Sequence, residues 1–383
     1  MADIIDTEEI DRDTVEQDVL EQQFSKKYKL LAETVVSLKK SYINKLHGTN
    51  SQKLAVSLSD NSIDVYQLTN TSLKKVCRLS GHSKGLTEVV FCPKEDHVLY
   101  SAGHDGVLKM WDTRAGGSCA QEFKDEDEQL VKQYECMDVS CNGRVLSAGS
   151  QLVEDDAYLV FWDNRNTSPL GGYWNSHTDD ITQVKFHRQK PEVLTSGSLD
   201  GLLNIYNILE PSEDDALTYS LNIENSVEKI SWLDETHVGC ITQSNDLQVW
   251  DVGSGDMVKT FARDKVARSI KRSKEDDCYL VDVYSSNDNT PVLLAGSYGG
   301  DGDILRSVTI SDKKLVPRTN FSQNKQIVRC CWYDHTRDIL VTAGESGAIC
   351  AWAGDPSTGE VTAARRCAGA GSDRLHANRH KPY

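Results

Sequence analysis

Residues 81–114 read GHSKGLTEVVFCPKEDHVLYSAGHDGVLKMWDTR, and this stretch decides the fold. Two short apolar runs, Val98–Tyr100 and Val107–Trp111, flank a His-Asp-Gly tripeptide, a pattern that predicts two strands joined by a tight turn. Gly106 supplies the positive φ that such a turn needs. An earlier run, Leu86–Phe91, predicts another strand, and the segment after the stretch offers a fourth. A single meander of four strands cannot bury both of its faces, so it needs copies of itself to stack against.

The copies are present in the sequence. Residues 176–208 read SHTDDITQVKFHRQKPEVLTSGSLDGLLNIYNI and repeat the unit in register. The two copies share the spacing of a histidine, a serine, an aspartate and an aromatic residue: His82, Ser101, Asp105 and Trp111 in the first, and His177, Ser196, Asp200 and Tyr206 in the second. Weaker copies end at Tyr66, Trp162, Trp250 and Trp352. The repeat length of about forty residues indicates a repeat architecture in which neighbouring units bury a continuous core.

The repeat, with Gly-His near one end and Trp-Asp at the other, resembles the WD40 repeat of β-propellers. Three segments, VEDDAYLVFWDNR, SHTDDITQVKFHRQKPEVLTSGSLDGLLNIY and EDDALTYSLNI, are similar to the family of WD repeat-containing protein 89, a propeller family of poorly described function. The likeness runs from about Tyr28 to Trp352. It implies an all-β fold, a seven-bladed WD40 β-propeller, and at about forty residues a blade one propeller accounts for nearly all of the 383 residues.

Three regions follow from this interpretation. Residues 1–26 are acid-rich and poor in apolar side chains, so we expect a disordered N-terminal tail that the fold does not need. Residues 27–353 form the propeller, and residues 354–383 form a flexible basic C-terminal tail. The strand predicted over Tyr28–Thr34 would join the last blade as its outer strand, which is the usual latch of the family. Such a latch removes the open seam of the ring.

Composition excludes several classes of function. The formal net charge of −16 argues against binding to a phosphate backbone and favours basic protein partners. No signal peptide and no membrane-spanning apolar run is visible, and the eleven cysteines show no metal-binding spacing. We therefore expect an intracellular, soluble protein of the nucleus or cytoplasm, with reduced cysteines, no cofactor, no metal and no membrane partner.

The shared histidine, serine, aspartate and aromatic residue resemble the buried structural tetrad of WD40 blades. A Ser, His and Asp set can also indicate a catalytic triad. The repetition of the set in a second blade favours the structural interpretation, in which each group supplies the donor or acceptor that its neighbour lacks. The last blade agrees, because Gln323 and Ser346 fall at its histidine and aspartate positions, so that both members of the charged pair are lost together.

Two consecutive blades end in Trp-Asp-x-Arg. Arg114 and Arg165 follow the Trp-Asp pairs, and the run Leu99 to Arg114 resembles the docking box of WD40 substrate receptors of cullin-4 ubiquitin ligases. In that family the arginine projects from the bottom face towards the ligase adaptor, a role that suits its rigid fork of donors. The alternative is that each arginine forms an ion pair with a surface carboxylate.

A group of carboxylates falls in predicted loops of adjacent blades. It contains Glu154, Asp155 and Asp156 in the third blade, and Asp179 and Asp180 before the fourth. A hard-cation site needs several oxygens around one point, and no loop here has that spacing. The group could form an acidic rim for a basic peptide, or it could be ordinary solvated surface.

No phosphate loop, metal site or activated nucleophile is indicated by these motifs. We therefore predict a chain that is not an enzyme but a non-catalytic scaffold for protein–protein interactions. The alternative function is that of a substrate receptor of a cullin-4-type ubiquitin ligase, docking through Arg114 and Arg165.

Overall fold

The computed structural model of the chain describes residues 17–37, 41–125 and 130–355. Within these ranges the strands form seven four-stranded antiparallel sheets. The innermost strands of neighbouring sheets contact one another all the way around the ring. The architecture is a seven-bladed β-propeller, which confirms the fold predicted from the sequence.

The blades follow one another in chain order, each with its first strand innermost. The first four blades contain β2 (Ile43–Gly48), β3 (Lys53–Leu58), β4 (Ser62–Leu68) and β5 (Leu73–Ser80); β6 (Leu86–Phe91), β7 (Val98–Gly103), β8 (Val107–Asp112) and β9 (Cys119–Lys124); β10 (Tyr134–Val139), β11 (Val145–Val153), β12 (Asp156–Asp163) and β13 (Pro169–Tyr173); and β14 (Ile181–Phe186), β15 (Val193–Ser198), β16 (Leu202–Asn207) and β17 (Leu217–Asn222). Blades five to seven contain β18 (Val227–Trp232), β19 (His237–Thr242), β20 (Leu247–Asp251) and β21 (Asp256–Phe261); β22 (Cys278–Ser285), β23 (Pro291–Ser297), β24 (Leu305–Ile310) and β25 (Leu315–Asn320); and β26 (Val328–Asp334), β27 (Ile339–Gly344) and β28 (Ala348–Gly354).

The innermost strand of every blade carries the same irregularity near its start. Its pairing with the second strand shifts by one residue, between Ile43 and Lys45 in blade one and between Leu86 and Glu88 in blade two. The other five blades shift at the equivalent place. A β-bulge bends a strand and increases its twist, so its presence in all seven blades shows that they repeat one backbone unit despite their divergent sequences.

The ring closes as the sequence predicts. Strand β1 (Tyr28–Val35) pairs antiparallel with β28 and is the outer strand of blade seven. Asp338 fastens Tyr28, the first residue of β1. Its carboxylate accepts hydrogen bonds from the hydroxyls of Tyr28 and Tyr333 and forms an ion pair with Lys26 at 3.0 Å. The last blade is therefore completed by the start of the propeller sequence, which leaves no open seam.

Residues 17–26, which precede this latch, are ordered, and this contradicts the disorder expected for them. Helix α1 (Gln17–Gln23) is followed by Phe24, whose side chain is fully buried. The Phe24 ring lies 5.3 Å from the guanidinium of the buried Arg306 in blade six. Two apolar side chains, Leu20 and Phe24, are enough to dock the segment, although the acidic composition around them suggests a solvated tail. Residues 1–16 lie outside the described residues, as does the expected C-terminal tail after residue 355.

Three short elements interrupt the regular blades. Helix α2 (Glu213–Ala216) lies between β16 and β17, helix α3 (Arg263–Ser269) joins blades five and six, and a 3-10 helix (Gly299–Gly302) follows β23. Strand β24 of blade six pairs Val308 with Leu293, the place that Trp111 and Leu99 occupy in blade two. Blade six therefore lacks the aromatic residue of the repeat. The docked Phe24 contacts the same strand, β24, through Arg306.

Every cysteine in the described ranges carries a free thiol. No helix among the described residues is both long and apolar enough to span a bilayer.

Candidate functional site

The predicted tetrad of blade two is one continuous chain of hydrogen bonds. The Trp111 Nε1–H donates to Ser101 Oγ at 2.8 Å, the Ser101 hydroxyl lies 2.7 Å from His82 Nε2, and His82 Nδ1 lies 3.0 Å from Asp105 Oδ1. An ionised Asp105 can only accept, so Nδ1 carries the imidazole proton and the serine hydroxyl donates to Nε2. Burial acts to raise the pKa of Asp105, but its hydrogen bonds, foremost that from His82, lower that pKa overall.

The backbone leaves little room around this chain. A side chain at Gly103 would come within 2.8 Å of His82 Nδ1 and 3.0 Å of Asp105 Oδ1. The Ser-Ala-Gly sequence of β7 therefore places the hydroxyl at Ser101 and keeps the space beside the charged pair free.

This arrangement is not that of a catalytic triad. Ser101 has no exposed surface, and its oxygen already accepts the indole N–H of Trp111. A nucleophilic serine needs an oxygen that a substrate carbonyl can approach within about 3 Å. The geometry instead satisfies four buried polar groups and connects strands β7 and β8 and the turn between them with the loop before the blade.

Blade four repeats the chain with a tyrosine at its end. His177 Nδ1 lies 2.9 Å from Asp200 and its Nε2 lies 2.7 Å from Ser196 Oγ. The Tyr206 hydroxyl is 3.3 Å from Ser196 Oγ and 2.8 Å from Ser176 Oγ. A phenol reaches further than an indole N–H, so it engages a second serine in the loop before the blade.

The remaining blades replace the tetrad in different ways. In blade five, Trp250 donates to Gln248 at 3.0 Å, two residues earlier on the same strand. In blade three the hydroxyl position, opposite Val160, is occupied by Ala148, and the buried Nε1 of Trp162 has no partner among the described residues. The sequence repeat therefore preserves the aromatic residue more strictly than its polar partner.

Blade seven corrects one prediction from the sequence. Gln323 is exposed, and it is Gln326 that is buried beside Ser346, accepting from its hydroxyl at 2.7 Å and donating to the Ala348 carbonyl at 3.0 Å. Trp352 donates to Thr342 at 2.9 Å, as the repeat predicts. Gln326 lies two residues before β26, whereas His82 lies four residues before β6, and the connection from the first to the second strand is one residue shorter in blade seven. Counting back from Trp352 therefore misplaced the glutamine by three residues.

The two Trp-Asp-x-Arg motifs have the same local geometry. Arg114 donates from Nε and Nη2 to Asp112 at 3.0 and 2.7 Å, and Arg165 donates likewise to Asp163 at 2.8 and 2.6 Å. These hydrogen bonds hold the pKa of both carboxyls well below their usual range. The arginine side chains are 66% and 65% exposed, so the fork of each is fixed but remains accessible.

The carboxylates of the predicted acidic rim are placed by a hairpin and a loop. Glu154 and Asp155 both have positive φ and form the two-residue tip of a hairpin that extends β11 and β12, while Asp156 begins β12. The sequence predicts a loop here, but the extra residues lengthen the strands instead. Asp180 Oδ1 accepts the backbone N–H of Leu152 at 2.7 Å, which fastens the Asp179-Asp180 loop of blade four to this hairpin. We call Glu154, Asp155, Asp156, Asp179 and Asp180 the acidic rim.

The acidic rim forms no ion pair with a lysine or arginine of the described residues. Neither a lysine nor an arginine of these ranges lies within ion-pair distance of any of its five carboxylates. The same described ranges contain no cluster of three or more side chains suited to hold a metal ion. The rim is therefore uncompensated negative charge rather than one half of a salt-bridge network.

The central channel contains charged residues that the sequence analysis did not single out. The first residue after the bulge lines this channel in six of the seven blades, and these residues are Lys45, Glu88, Gln183, Lys229, Asp282 and Cys330, whereas the equivalent Cys136 is buried. Lys45 and Glu88 lie 3.0 Å apart, and Lys229 and Asp282 lie 3.9 Å apart. Burial acts to lower the pKa of Lys45, but the Glu88 carboxylate raises that pKa overall.

These channel residues could have been found from alignment of the copies alone. They share one position in the first strand of each unit, where a charge in an alternating strand usually indicates a solvent-exposed face. In a propeller this face lies in an enclosed channel, so opposite charges on neighbouring blades compensate one another.

Comparisons with known proteins agree with this geometry. The WD domain, G-beta repeat family matches residues 73–112 and 169–207. Each match begins at the outer strand of one blade, β5 or β13, and ends at the third strand of the next. The sequence repeat is thus offset from the structural blade by one strand, so that each copy spans two blades.

The chain is similar to WD repeat-containing protein 89 homolog of Dictyostelium discoideum, with 25% identity over 86% of this chain and 89% of the relative. It is also similar to WD repeat-containing protein GTS1 of Arabidopsis thaliana, with 24% identity over 86% of both proteins. An uncharacterized WD repeat-containing protein of Saccharomyces cerevisiae is 31% identical over 67% of this chain and 64% of its own length. With two matched repeats in a ring of seven blades, the chain is a seven-bladed β-propeller that contains WD40 repeats and is similar over most of its length to WD repeat-containing protein 89 homolog.

Proposed function

We propose that this chain is a non-catalytic interaction platform that binds a basic segment of another protein on its acidic rim. The observation that carries the proposal is the rim itself. Its five carboxylates lie on a hairpin and a loop of two blades that the hydrogen bond from Leu152 to Asp180 fastens together, and no lysine or arginine of the described residues forms an ion pair with them.

Physical arguments support this choice over solvated loops. Like charges held close together repel one another, and that repulsion is relieved when a cationic partner binds. The hairpin tip is rigid because both of its residues adopt the left-handed conformation of a two-residue turn. A fixed, uncompensated surface recognises a basic segment with little loss of conformational entropy.

The experiment is affinity purification of the tagged chain followed by quantitative mass spectrometry. The rim variant carries Asp155→Asn, Asp156→Asn, Asp179→Asn and Asp180→Asn. We expect it to lose a defined subset of partners, whose binding to the wild type also weakens as the salt concentration rises.

The matched control replaces two carboxylates elsewhere, Asp276→Asn and Asp312→Asn, which are 95% and 98% exposed. It should retain the partners that the rim variant loses. Equal partner sets for the wild type and the rim variant would contradict the proposal, as would the loss of the same partners from the control.

The second candidate function is that of a cullin-4 ligase substrate receptor. It is favoured by the identical, exposed geometry of Arg114 and Arg165 in consecutive blades. Each guanidinium uses Nε and Nη2 on its own aspartate, which leaves Nη1 for an adaptor. Against it, the same bonds are those of a surface ion pair, which contributes only about 0–1 kcal/mol and needs no partner.

Binding of the wild-type chain to the purified ligase adaptor tests this candidate. If the arginines anchor an interface, each change to alanine should weaken binding by about thirtyfold, or about 2 kcal/mol, and the double variant Arg114→Ala and Arg165→Ala by roughly a thousandfold where the two losses add. Because the two side chains lie outside the tetrads, the melting curve should stay that of the wild type. Failure of the wild-type chain to bind the adaptor would exclude the receptor function.

A further inference from the structure

The flank of blades three and four exposes apolar side chains beside a second group of acids. Leu209 is 76% exposed and Trp174 is 48% exposed, although both belong to residue types that usually lie inside. Leu209 is followed in the chain by the acidic run Glu210–Asp215, the end of which forms the start of helix α2, and Glu213 of that helix contacts the backbone N–H of Trp174. We call Trp174, Leu209 and Glu210–Asp215 the flank patch.

The flank patch is rigid. The Glu213 carboxylate accepts the backbone N–H groups of Trp174 at 3.0 Å and Asn175 at 2.9 Å, which ties α2 to the end of the outer strand of blade three. The ring centroid of the preceding residue, Tyr173, lies 4.9 Å from that of Phe161 in blade three and 5.4 Å from that of Tyr206 in blade four. Its ring therefore bridges the two blades. Trp174 is therefore held outward by its backbone and is not a side chain of a loose loop.

The acids of the flank patch lack cationic partners in the described part of the chain. Asp215 is hydrogen-bonded to Ser212, Glu210 lies 3.4 Å from the Asn207 amide, and Glu213 is engaged by backbone N–H groups. No lysine or arginine of the described residues forms an ion pair with them or with Asp214. An exposed indole flanked by uncompensated carboxylates is complementary to a cation that also presents apolar surface.

Building on the proposed function, we propose that the flank patch is the anchor of that interface, and that the partner is a basic segment carrying an apolar side chain. The cationic groups of the segment would lie on the acidic rim and beside Glu210–Asp215, while a leucine- or phenylalanine-like side chain packs on Trp174 and Leu209. Aromatic anchors of this kind contribute most of the binding energy of many interfaces, whereas surrounding charges mainly set specificity and association rate.

Chain connectivity limits the distances between the residues of the two surfaces. Trp174 and Asp180 are six residues apart, so they are separated by at most about 20 Å. Leu209 is four residues from Glu213, or at most about 14 Å. An extended partner segment of roughly ten residues spans such distances.

The test is selection of a library of short random peptides on the full-length wild-type chain. We expect the enriched peptides to combine lysine or arginine with at least one large apolar residue. Trp174→Ala should weaken their binding by about tenfold, measured by fluorescence anisotropy, and Leu209→Ala should weaken it in the same direction. Met257→Ala is the matched control, because Met257 is 49% exposed on the outer strand of blade five.

The outcomes separate the two proposals. Peptides that bind Trp174→Ala and Leu209→Ala as tightly as the wild type, but lose the rim variant, would overturn the anchor and leave the rim intact. Peptides that bind the rim variant normally would contradict the proposed function itself. Enriched peptides without basic residues, or no enrichment, would contradict both.

A truncated chain ending at Asp355 tests whether the chain's own C-terminal residues, rather than a partner, occupy the flank patch. If peptides bind this truncated chain but not the full chain, then the chain's own basic residues 356–383 occupy the flank patch, and the proposal of a partner segment is wrong.

Discussion

Replacing Phe24 with alanine tests whether the segment before the latch is part of the propeller. The Phe24 side chain is fully buried and stacks over the guanidinium of Arg306, which is itself buried in blade six. Large-to-small changes of a buried phenylalanine cost about 3–5 kcal/mol, and a desolvated cation–π contact contributes up to about 2 kcal/mol of its own. A terminal segment can undock without unfolding of the ring, which limits the loss to the free energy of docking. We therefore expect the lower end of this range, a loss of about 3 kcal/mol in the free energy of unfolding.

Urea denaturation followed by tryptophan fluorescence measures this loss. Val19→Ala in the same helix is the control, because Val19 is 37% exposed and its truncation should change stability by less than about 0.5 kcal/mol. If Phe24→Ala denatures at the same urea concentration as the wild type, the docked segment contributes nothing. The expectation from composition, that residues 1–26 are dispensable, would then hold.

Two further predictions concern the tetrads and the channel. Trp111→Phe and Trp162→Phe remove the same ring volume, but of these two tryptophans only Trp111 has an Nε1 with a hydrogen-bond partner among the described residues. Trp111→Phe should therefore lower the free energy of unfolding by about 1 kcal/mol more, measured by urea denaturation. Equal losses would refute a stabilising role for the hydrogen bond from Trp111 to Ser101. Burial and the nearby Lys185 lower the pKa of His47 from 6.5 to about 4, so the unfolded chain takes up a proton that the folded chain does not. Stability should then fall by at most about 3 kcal/mol from pH 6.5 to pH 4, and His47→Gln should flatten this part of the pH profile; a variant profile as steep as that of the wild type would show that other groups dominate.

The repeat made the ring of blades predictable. Two copies with every spacing in common placed Ser101 and Trp111 on neighbouring strands, and the register of β7 and β8 agrees. The latch over Tyr28–Thr34 followed from the same counting, because the last blade would otherwise lack its outer strand. These features depend on a local pattern that recurs in several copies of the repeat, so they remain predictable even where one copy is weak.

Other features depend on contacts between distant residues, and no local pattern reports them. Phe24 is one aromatic residue in an acidic segment, and its helix is too short for its periodicity to be recognised. From the sequence, Arg306 is expected on the surface, because arginine is rarely buried without a partner. Its burial depends on the Ile270 carbonyl and the Phe24 ring, which come from two other parts of the chain. The displacement of Gln326 relative to the repeat likewise depends on the lengths of two connections, the loop before blade seven and the turn after its first strand.

Blade three differs from its neighbours in a way that bears on function. Blades two and four hold the two complete hydrogen-bond chains, ending at Asp105 and Asp200, and they flank a blade whose Trp162 has no polar partner among the described residues. That blade also carries the extended hairpin of the acidic rim and the outward-facing Trp174. Departures from a repeat that cost stability persist where another role compensates for them, and the rigid blades on either side limit that cost. We therefore expect the partner surface at the junction of blades three and four, where an irregular blade lies beside a blade with a complete hydrogen-bond chain.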